Sequence, residues 1–387
     1  IGGTTINKTD LIRQKWLDND FYGTTFSANY KDEKLDVILG GGYNKYEGSH
    51  FGKIIWARYA STSELEDHYY NDAASKTDGN IFAKANYQVA EKLSLFADLQ
   101  LRNVHYKANG AETGVVNANF NFFNPKAGLN LEINENNQLY ASYARANREP
   151  NRTDYKNGSP RPEKLNDFEL GLRHVSTKVK VNANMYYMAY KDQLILTGEL
   201  DDVGAPIRKN SGDSYRLGLE IDATVAVLNN LIIRPNVTIS TNKNKDFFFK
   251  RDGVLTSLGN TNIAFSPGFI AGNIVSFVPM KNLQISFLSK FVGEQYMANI
   301  DAEGSKLKSY FTNDLKVSYE IIPKSVFKSI YLSALVSNIF DYKYISNGYF
   351  YTYDDDYSNP PAITTLEAAG YYPQAGINFL VGSSLKF

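Results

Sequence analysis

The 387-residue sequence has no cysteine and only two tryptophans, and its charges cancel, with 41 Lys and Arg against 41 Asp and Glu. Without cysteine there is no disulfide scaffold, no thiolate metal site and no cysteine nucleophile. Without a basic excess there is no electrostatic case for binding nucleic acid. No run of about 18 apolar residues occurs, so no transmembrane helix is encoded. The opening Ile1-Gly2-Gly3-Thr4-Thr5 lacks the basic and apolar regions of a signal peptide and reads as mature or internal sequence. What abounds is aromatic: 28 Tyr and 23 Phe dominate a 14% aromatic fraction in a chain of mean hydropathy -0.36. That load excludes disorder.

The aromatic and aliphatic residues recur with period two, which places one set on each face of a strand. Leu93, Leu95, Ala97, Leu99 and Leu101 oppose Ser94, Asp98, Gln100 and Arg102. Leu217, Leu219, Ile221, Ala223 and Val225 oppose Arg216, Gly218, Glu220, Asp222 and Thr224, and Phe168, Leu170 and Leu172 oppose Asp167, Glu169 and Arg173. About fifteen such strands follow one another, each about 10 residues or longer, the length a tilted strand needs to cross a bilayer. Short turns, as at Lys31–Lys34, Ala90–Lys92, Asn134–Gln138, Ser176–Lys178 and Leu228–Asn230, alternate with long polar segments. The long ones are Glu47–Gly79, Lys107–Asn117, Asn147–Leu165, Gly198–Lys209, Asn244–Asn260, Val292–Leu307 and Asp341–Ala369. This layout predicts an all-β fold, a transmembrane antiparallel β-barrel of an outer membrane. Tyr43, Tyr87, Tyr140, Tyr143, Tyr186 and Tyr187 read as rings at the membrane interfaces. A soluble β-rich secreted or adhesion protein is the alternative.

Single-chain bacterial barrels have an even strand number, and fifteen is odd. The closing strand Gly376–Phe387 runs inward, so the first, Phe21–Tyr30, does too. Ile1–Asp20 is then expected outside the cell as the remnant of an extracellular loop, and residues 21–387 form the incomplete C-terminal part of a barrel.

Several local motifs resemble the TonB-dependent outer-membrane transporters, in their Bacteroidetes-type form. They are Phe123-Asn124-Pro125-Lys126-Ala127-Gly128-Leu129; Tyr143-Ala144-Arg145-Ala146-Asn147-Arg148-Glu149-Pro150; Pro162-Glu163 with Phe168-Glu169-Leu170-Gly171; and Val336-Ser337-Asn338-Ile339-Phe340-Asp341-Tyr342. Tyr372-Pro373-Gln374-Ala375-Gly376, running on to Phe387, is similar to the family's closing strand, whose terminal aromatic serves as a barrel-assembly signal. Glu149 departs from the family's small residue before proline. The resemblance implies a 22-stranded barrel around an N-terminal plug. It also implies partners: the remaining strands and plug, TonB acting through that plug, surrounding lipid and lipopolysaccharide, and a surface lipoprotein. No enzyme chemistry and no cofactor are implied, and uptake of a scarce chelate is, a ferric siderophore ahead of cobalamin or haem. A passive porin or glycan channel is the other class of reading.

Ligand-facing residues are sought in the external segments. Arg148, Arg152 and Tyr155, with Tyr351, Tyr353 and Trp56, combine cations and rings that suit an anionic, ring-containing chelate. Trp16 is read as capping the same surface. His50, His68, His105 and His174 lack zinc-site spacing. His50 and His68 read as solvated loop residues, and His174 as structural. Asp354, Asp355 and Asp356 are weak metal candidates, with a loop charge run as the plainer reading. Asp98, Arg102, Lys126, Glu169, Arg173, Arg216, Glu220, Asp222 and Lys316 read as a mixed-sign lumenal lining.

Overall fold

The computed structural model describes residues 8–60, 64–111, 113–156, 158–200, 206–323 and 326–387; expectations that fall on the other residues, including the first seven of the expected loop remnant, lie outside them. Fifteen strands hydrogen-bond in sequence order into one antiparallel sheet, with Thr261–Asn262 as a short side strand. They are β1 (Leu11–Lys31), β2 (Leu35–Ala57), β3 (His68–Ala90), β4 (Leu93–Gly110), β5 (Gly114–Asn134), β6 (Asn137–Arg148), β7 (Glu163–Val175), β8 (Val179–Lys191), β9 (Asp213–Leu228), β10 (Leu231–Asn244), β11 (Phe269–Met280), β12 (Leu283–Val292), β13 (Tyr310–Ile321), β14 (Ser329–Ser337) and β15 (Asn378–Lys386). Among the described residues no helix is long and apolar enough to cross a membrane. The chain divides into two compact units, one of residues Ile1–Tyr87, Phe96–Lys126 and Arg145–Pro162, the other of Gln88–Leu95, Ala127–Ala144 and Glu163–Phe387.

In the first unit the strands outrun the expected crossing length, β1 holding 21 residues and β2 and β3 holding 23 each. The readings of Glu47–Gly79 and Lys107–Asn117 as loops are corrected: strand pairing continues to Ala57 and Gly110, leaving connections at 58–67 and 111–113. The hydropathy alternation changes sides in β4: the row that is apolar at Leu99 and Leu101 turns polar at Asn103 and His105, while Val104, Tyr106 and Ala108 of the other row are buried. On one face Asn103 Nδ2 donates to Asn119 and Asn121 Oδ1 at 2.9 and 2.7 Å, and His105 Nε2 meets Asn117 Oδ1 at 2.8 Å. β1 likewise starts at Leu11, ten residues before the expected Phe21, so Trp16 is a strand residue opposite Phe51. Every residue of β1 is exposed.

In the second unit the register puts the expected polar residues side by side. Arg173 lies opposite Asn182, which lies opposite Asp222, and Glu169 lies opposite Tyr186, which lies opposite Gly218. Leu170, Leu172, Met185 and Leu219 occupy the other face, and all four are exposed. Bare apolar rows of this kind are a liability in water and what hydrocarbon requires of a strand. Two of the expected interface rings are corrected: Tyr140 and Tyr186 lie on the polar face, where they cover Gly171 and Gly218. The long segments also hold structure of their own. Pro206–Asn210, Leu194–Leu200, Ile345–Asp355 and Thr364–Pro373 form a four-stranded sheet, and Ile195, Phe247, Phe249, Met297, Ala298, Ile300, Leu307 and Phe350 make a buried core.

The short turns fall where expected. Asp32 closes the first by accepting the backbone N–H of Lys34 and Leu35 at 2.9 and 2.8 Å, bonds that hold its carboxyl below the usual range.

Candidate functional site

Two places gather the sequence-selected residues, one in each unit. In the first, the segment after β6 turns back onto the sheet. Asn151 and Asp154 cap the single helical turn Arg152–Tyr155 reciprocally, Asn151 Oδ1 accepting the Asp154 N–H at 3.1 Å and Asp154 Oδ2 the Asn151 N–H at 2.8 Å. Arg152 Nη2 donates to Asp72 Oδ2 at 2.7 Å, and Nη1 meets Nδ1 of His50. Asp72 also accepts the Ala111 N–H at 2.9 Å. One turn earlier Glu149 receives Arg102 Nη1 and Nη2 at 2.8 and 2.9 Å and also Lys76 Nζ, while Arg102 Nε binds Asp78 at 3.1 Å. Tyr155 stacks on Tyr106 with ring centroids 5.6 Å apart.

Electrostatics follow from that packing. Burial alone would push the Glu149 carboxyl up, but the Arg102 and Lys76 hydrogen bonds outweigh it and hold the group at about 2. Burial, with the Tyr106 hydroxyl beside it, pushes the Tyr155 phenol up to about 12. Arg152 and Tyr155 thus share one turn, packed against the sheet with partners already in place. Arg148, at the end of β6, is exposed and also engaged in an interaction. His50 is a strand residue held by Arg152, not a solvated loop residue, and His68 opens β3 with its ring stacked on Phe51 at 4.4 Å. Trp56 sits in β2 opposite Ile12, 46% exposed. Asp72 and Lys76 had no sign in the sequence, and Glu149 stood out only as a departure from the family's small residue; the Asn151-x-x-Asp154 capping spacing was the available sign that this segment is ordered.

In the second unit, the hairpin of Ile345–Asp355 and Thr364–Pro373 turns Phe350 and Thr352 into the core. Tyr349, Tyr351 and Tyr353 point the other way, over Gly370, Ala368 and Leu366. Their rings run as a ladder, each neighbouring pair near-parallel with centroids 6.3 Å apart. Gly370 leaves the space that the Tyr349 ring covers. On the other face, that of Phe350 and Thr352, Lys250 reaches Asp354 at 3.4 Å and Arg251 reaches Glu367 at 2.6 Å. The Asp354–Asp356 run is committed elsewhere: Asp354 accepts from Thr365 Oγ1 at 2.7 Å, and Asp355 caps the N–H groups of Tyr357 and Ser358 at 3.1 and 2.9 Å. Among the described residues no group of three or more His, Cys, Asp or Glu is placed to hold a metal ion. His174 Nδ1 meets Asn137 Oδ1 at 2.9 Å, joining β7 to β6. Phe387, at the end of the closing strand, is 67% exposed and rests on Phe327, with centroids 5.0 Å apart.

A family model described as "TonB dependent receptor-like, beta-barrel" matches residues 2–339. No curated protein matches. Among solved structures, the copper transporter OprC superposes with a TM-score of 0.74 at 17% identity, covering 96% of this chain and 57% of its own. The ferric-catecholate import receptor Fiu of E. coli K12, in its closed form, gives 0.67 at 15% identity, with 97% and 55% covered. The ferric yersiniabactin uptake receptor FyuA of Yersinia pestis gives 0.62 at 14%, with 97% and 55% covered. The chain therefore spans little more than half the length of the structures it resembles.

Proposed function

Since this chain belongs to the TonB-dependent receptor-like β-barrel family, a family of receptors rather than enzymes, we propose that it is the C-terminal portion of an outer-membrane barrel that imports a ferric siderophore by TonB-driven transport. The family match over most of the chain is the observation that carries this reading. In support, similar structures include receptors for ferric catecholates and ferric yersiniabactin. The ladder of Tyr349, Tyr351 and Tyr353, on the face of its hairpin turned away from the core, offers rings to a ring-containing chelate. Arg148, Arg152, Tyr155 and Trp56 belong to the same proposal as contacts from the first unit. The motif set, above all Phe123–Leu129 and Val336–Tyr342, favours a Bacteroidetes-type member.

The other strands and the plug, in this reading, come from sequence outside these residues. The fully exposed β1, and β15 with all nine residues exposed, are the two ends of the strand order and offer edges for them. Phe387 is the terminal aromatic read during barrel assembly, TonB engages the plug, and lipid and lipopolysaccharide surround the apolar face.

Uptake is the deciding measurement. Cells dependent on this protein should import a radiolabelled ferric siderophore, and import should stop when TonB is deleted or the proton gradient is dissipated. Unchanged uptake would sink active transport in favour of a passive channel. A parallel panel of ferric siderophores, haem and cobalamin identifies the cargo, and growth on haem or cobalamin alone would replace the siderophore.

A further inference from the structure

We propose that His50, Asp72 and Arg152 form a proton-operated catch: with His50 neutral it holds the helical turn Arg152–Tyr155 against β2 and β3, and with His50 protonated it releases Arg152. His50 and Asp72 are direct partners across the β2–β3 pair, so their side chains leave the same face of the sheet. Arg152 spans both, donating to Asp72 Oδ2 at 2.7 Å and meeting His50 Nδ1 through its other terminal nitrogen. A guanidinium has only donors, so Nδ1 must be the acceptor, and the imidazole must carry no proton there. Protonation removes that acceptor and sets a second cation against Arg152.

The surroundings decide which cation keeps the carboxylate. Among the described residues, the charged groups facing the ring are Arg152, from the helical turn, and Asp72, from β3. The facing residue of β1 is Leu17, the end of β4 contributes Asn109 and Gly110, and the connection to β5 contributes Thr113, none of them charged. Asp72 is 5% exposed and fixed by the Ala111 N–H. It stands beside both cations, but the imidazolium is built into a neighbouring long strand whereas Arg152 rides on a four-residue turn. The turn is therefore the part that moves. Burial and the neighbouring Arg152 charge hold the His50 imidazole below its ordinary value of about 6.5, so the catch opens only as the medium is acidified below that value.

The consequence for uptake rests on reading Arg152 as a ligand contact: at neutral pH its charge is occupied by Asp72, and acidification offers it to an anionic chelate. The catch itself is tested without any ligand. Hydrogen exchange at the amides of residues 152–156, corrected for the intrinsic pH dependence, is followed in the protein purified from membranes in detergent at pH 7.5 and pH 5.0. Protection should fall at least tenfold at the lower pH, while β4 amides stay protected. In His50→Gln, which keeps an oxygen acceptor at every pH, protection should stay at its neutral-pH level at both values. In Asp72→Asn the turn should be unprotected at both. Equal protection at the two pH values in the unaltered protein, or the same fall in His50→Gln, overturns the catch. Either result leaves the transport proposal standing, because that is read from uptake.

Discussion

Arg102 and Glu149 meet as a two-pronged ion pair, Nη1 to Oε2 at 2.8 Å and Nη2 to Oε1 at 2.9 Å, although they stand 47 positions apart in the sequence. Asp78 holds the other side of the guanidinium and Lys76 the other side of the carboxylate, so the four charges alternate. This pairing turns the segment after β6 back onto β3 and β4 instead of letting it stand away from them. Removing one member strands the others. Glu149→Gln should cost about 2 kcal/mol, less than the loss of a fully buried pair because Arg102 keeps 21% of its side chain exposed. Equilibrium unfolding in detergent reads that cost, and a change under about 0.5 kcal/mol would show that the pair is replaceable by solvent.

The same carboxylate sets a pH dependence. Its ordinary value is 4.5 and in the folded protein it is held at about 2. A group whose folded-state value is depressed stabilises the fold above its unfolded value and loses that contribution as pH falls through the folded one. The stability gap between the unaltered protein and Glu149→Gln should therefore be constant above about pH 5, shrink between 4.5 and 2, and close below that. Paired unfolding curves across pH 2–7 check it. A gap that persists at pH 2 would place the stabilisation in packing rather than charge.

Arg152 and Asp72 should show strong coupling. Arg152→Ala leaves a carboxylate of 7% side-chain exposure without its cation, so part of any loss in ligand affinity will reflect a loosened turn. The double variant Arg152→Ala with Asp72→Asn removes both charges and should recover at least about 1 kcal/mol of the stability lost by Arg152→Ala alone. If ligand affinity recovers with it, Arg152 acts by placing the turn. If affinity stays low while stability recovers, Arg152 touches the ligand.

How much of this was written in the sequence depends on the face. The row of Arg173 and Asp222, and the apolar row of Leu170 and Leu219 behind it, follow from period two alone, because one face met lipid-like and the other polar surroundings. That contrast does not keep to one side in the outer parts of β4 and β5. Asn103 and Asn121 pair across strands there on the row that is apolar at Leu99 and Leu101, while Val104, Tyr106 and Phe122 are buried on the other, so the apolar row changes sides and a single two-faced pattern does not run the length of the strand. The ion pair of Arg102 and Glu149 was out of reach for a different reason: a contact over 47 positions leaves no local trace. The buried core around Phe350 was hidden by the polar and glycine-rich residues interleaved with it.

Two glycines near that core separate packing from function. A methyl group on Gly348 would press on the Gly370 carbonyl oxygen and lie 2.6 Å from Met297 Sδ, contacts that a neighbouring backbone cannot relieve. One on Gly304 would meet Phe350 and Glu367 at 3.7 and 3.9 Å, ordinary van der Waals distances. Gly348→Ala should therefore cost about 1–3 kcal/mol by overpacking, and Gly304→Ala should stay within about 0.5 kcal/mol. Hydrogen exchange along Ile345–Asp355 measures both, since this hairpin can open without the rest of the sheet. The hairpin also carries Tyr349, Tyr351 and Tyr353, so if the ladder faces the chelate, Gly348→Ala weakens binding and Gly304→Ala does not. Faster exchange in Gly348→Ala with unchanged affinity would remove the ladder from the ligand site and leave it as packing between external segments.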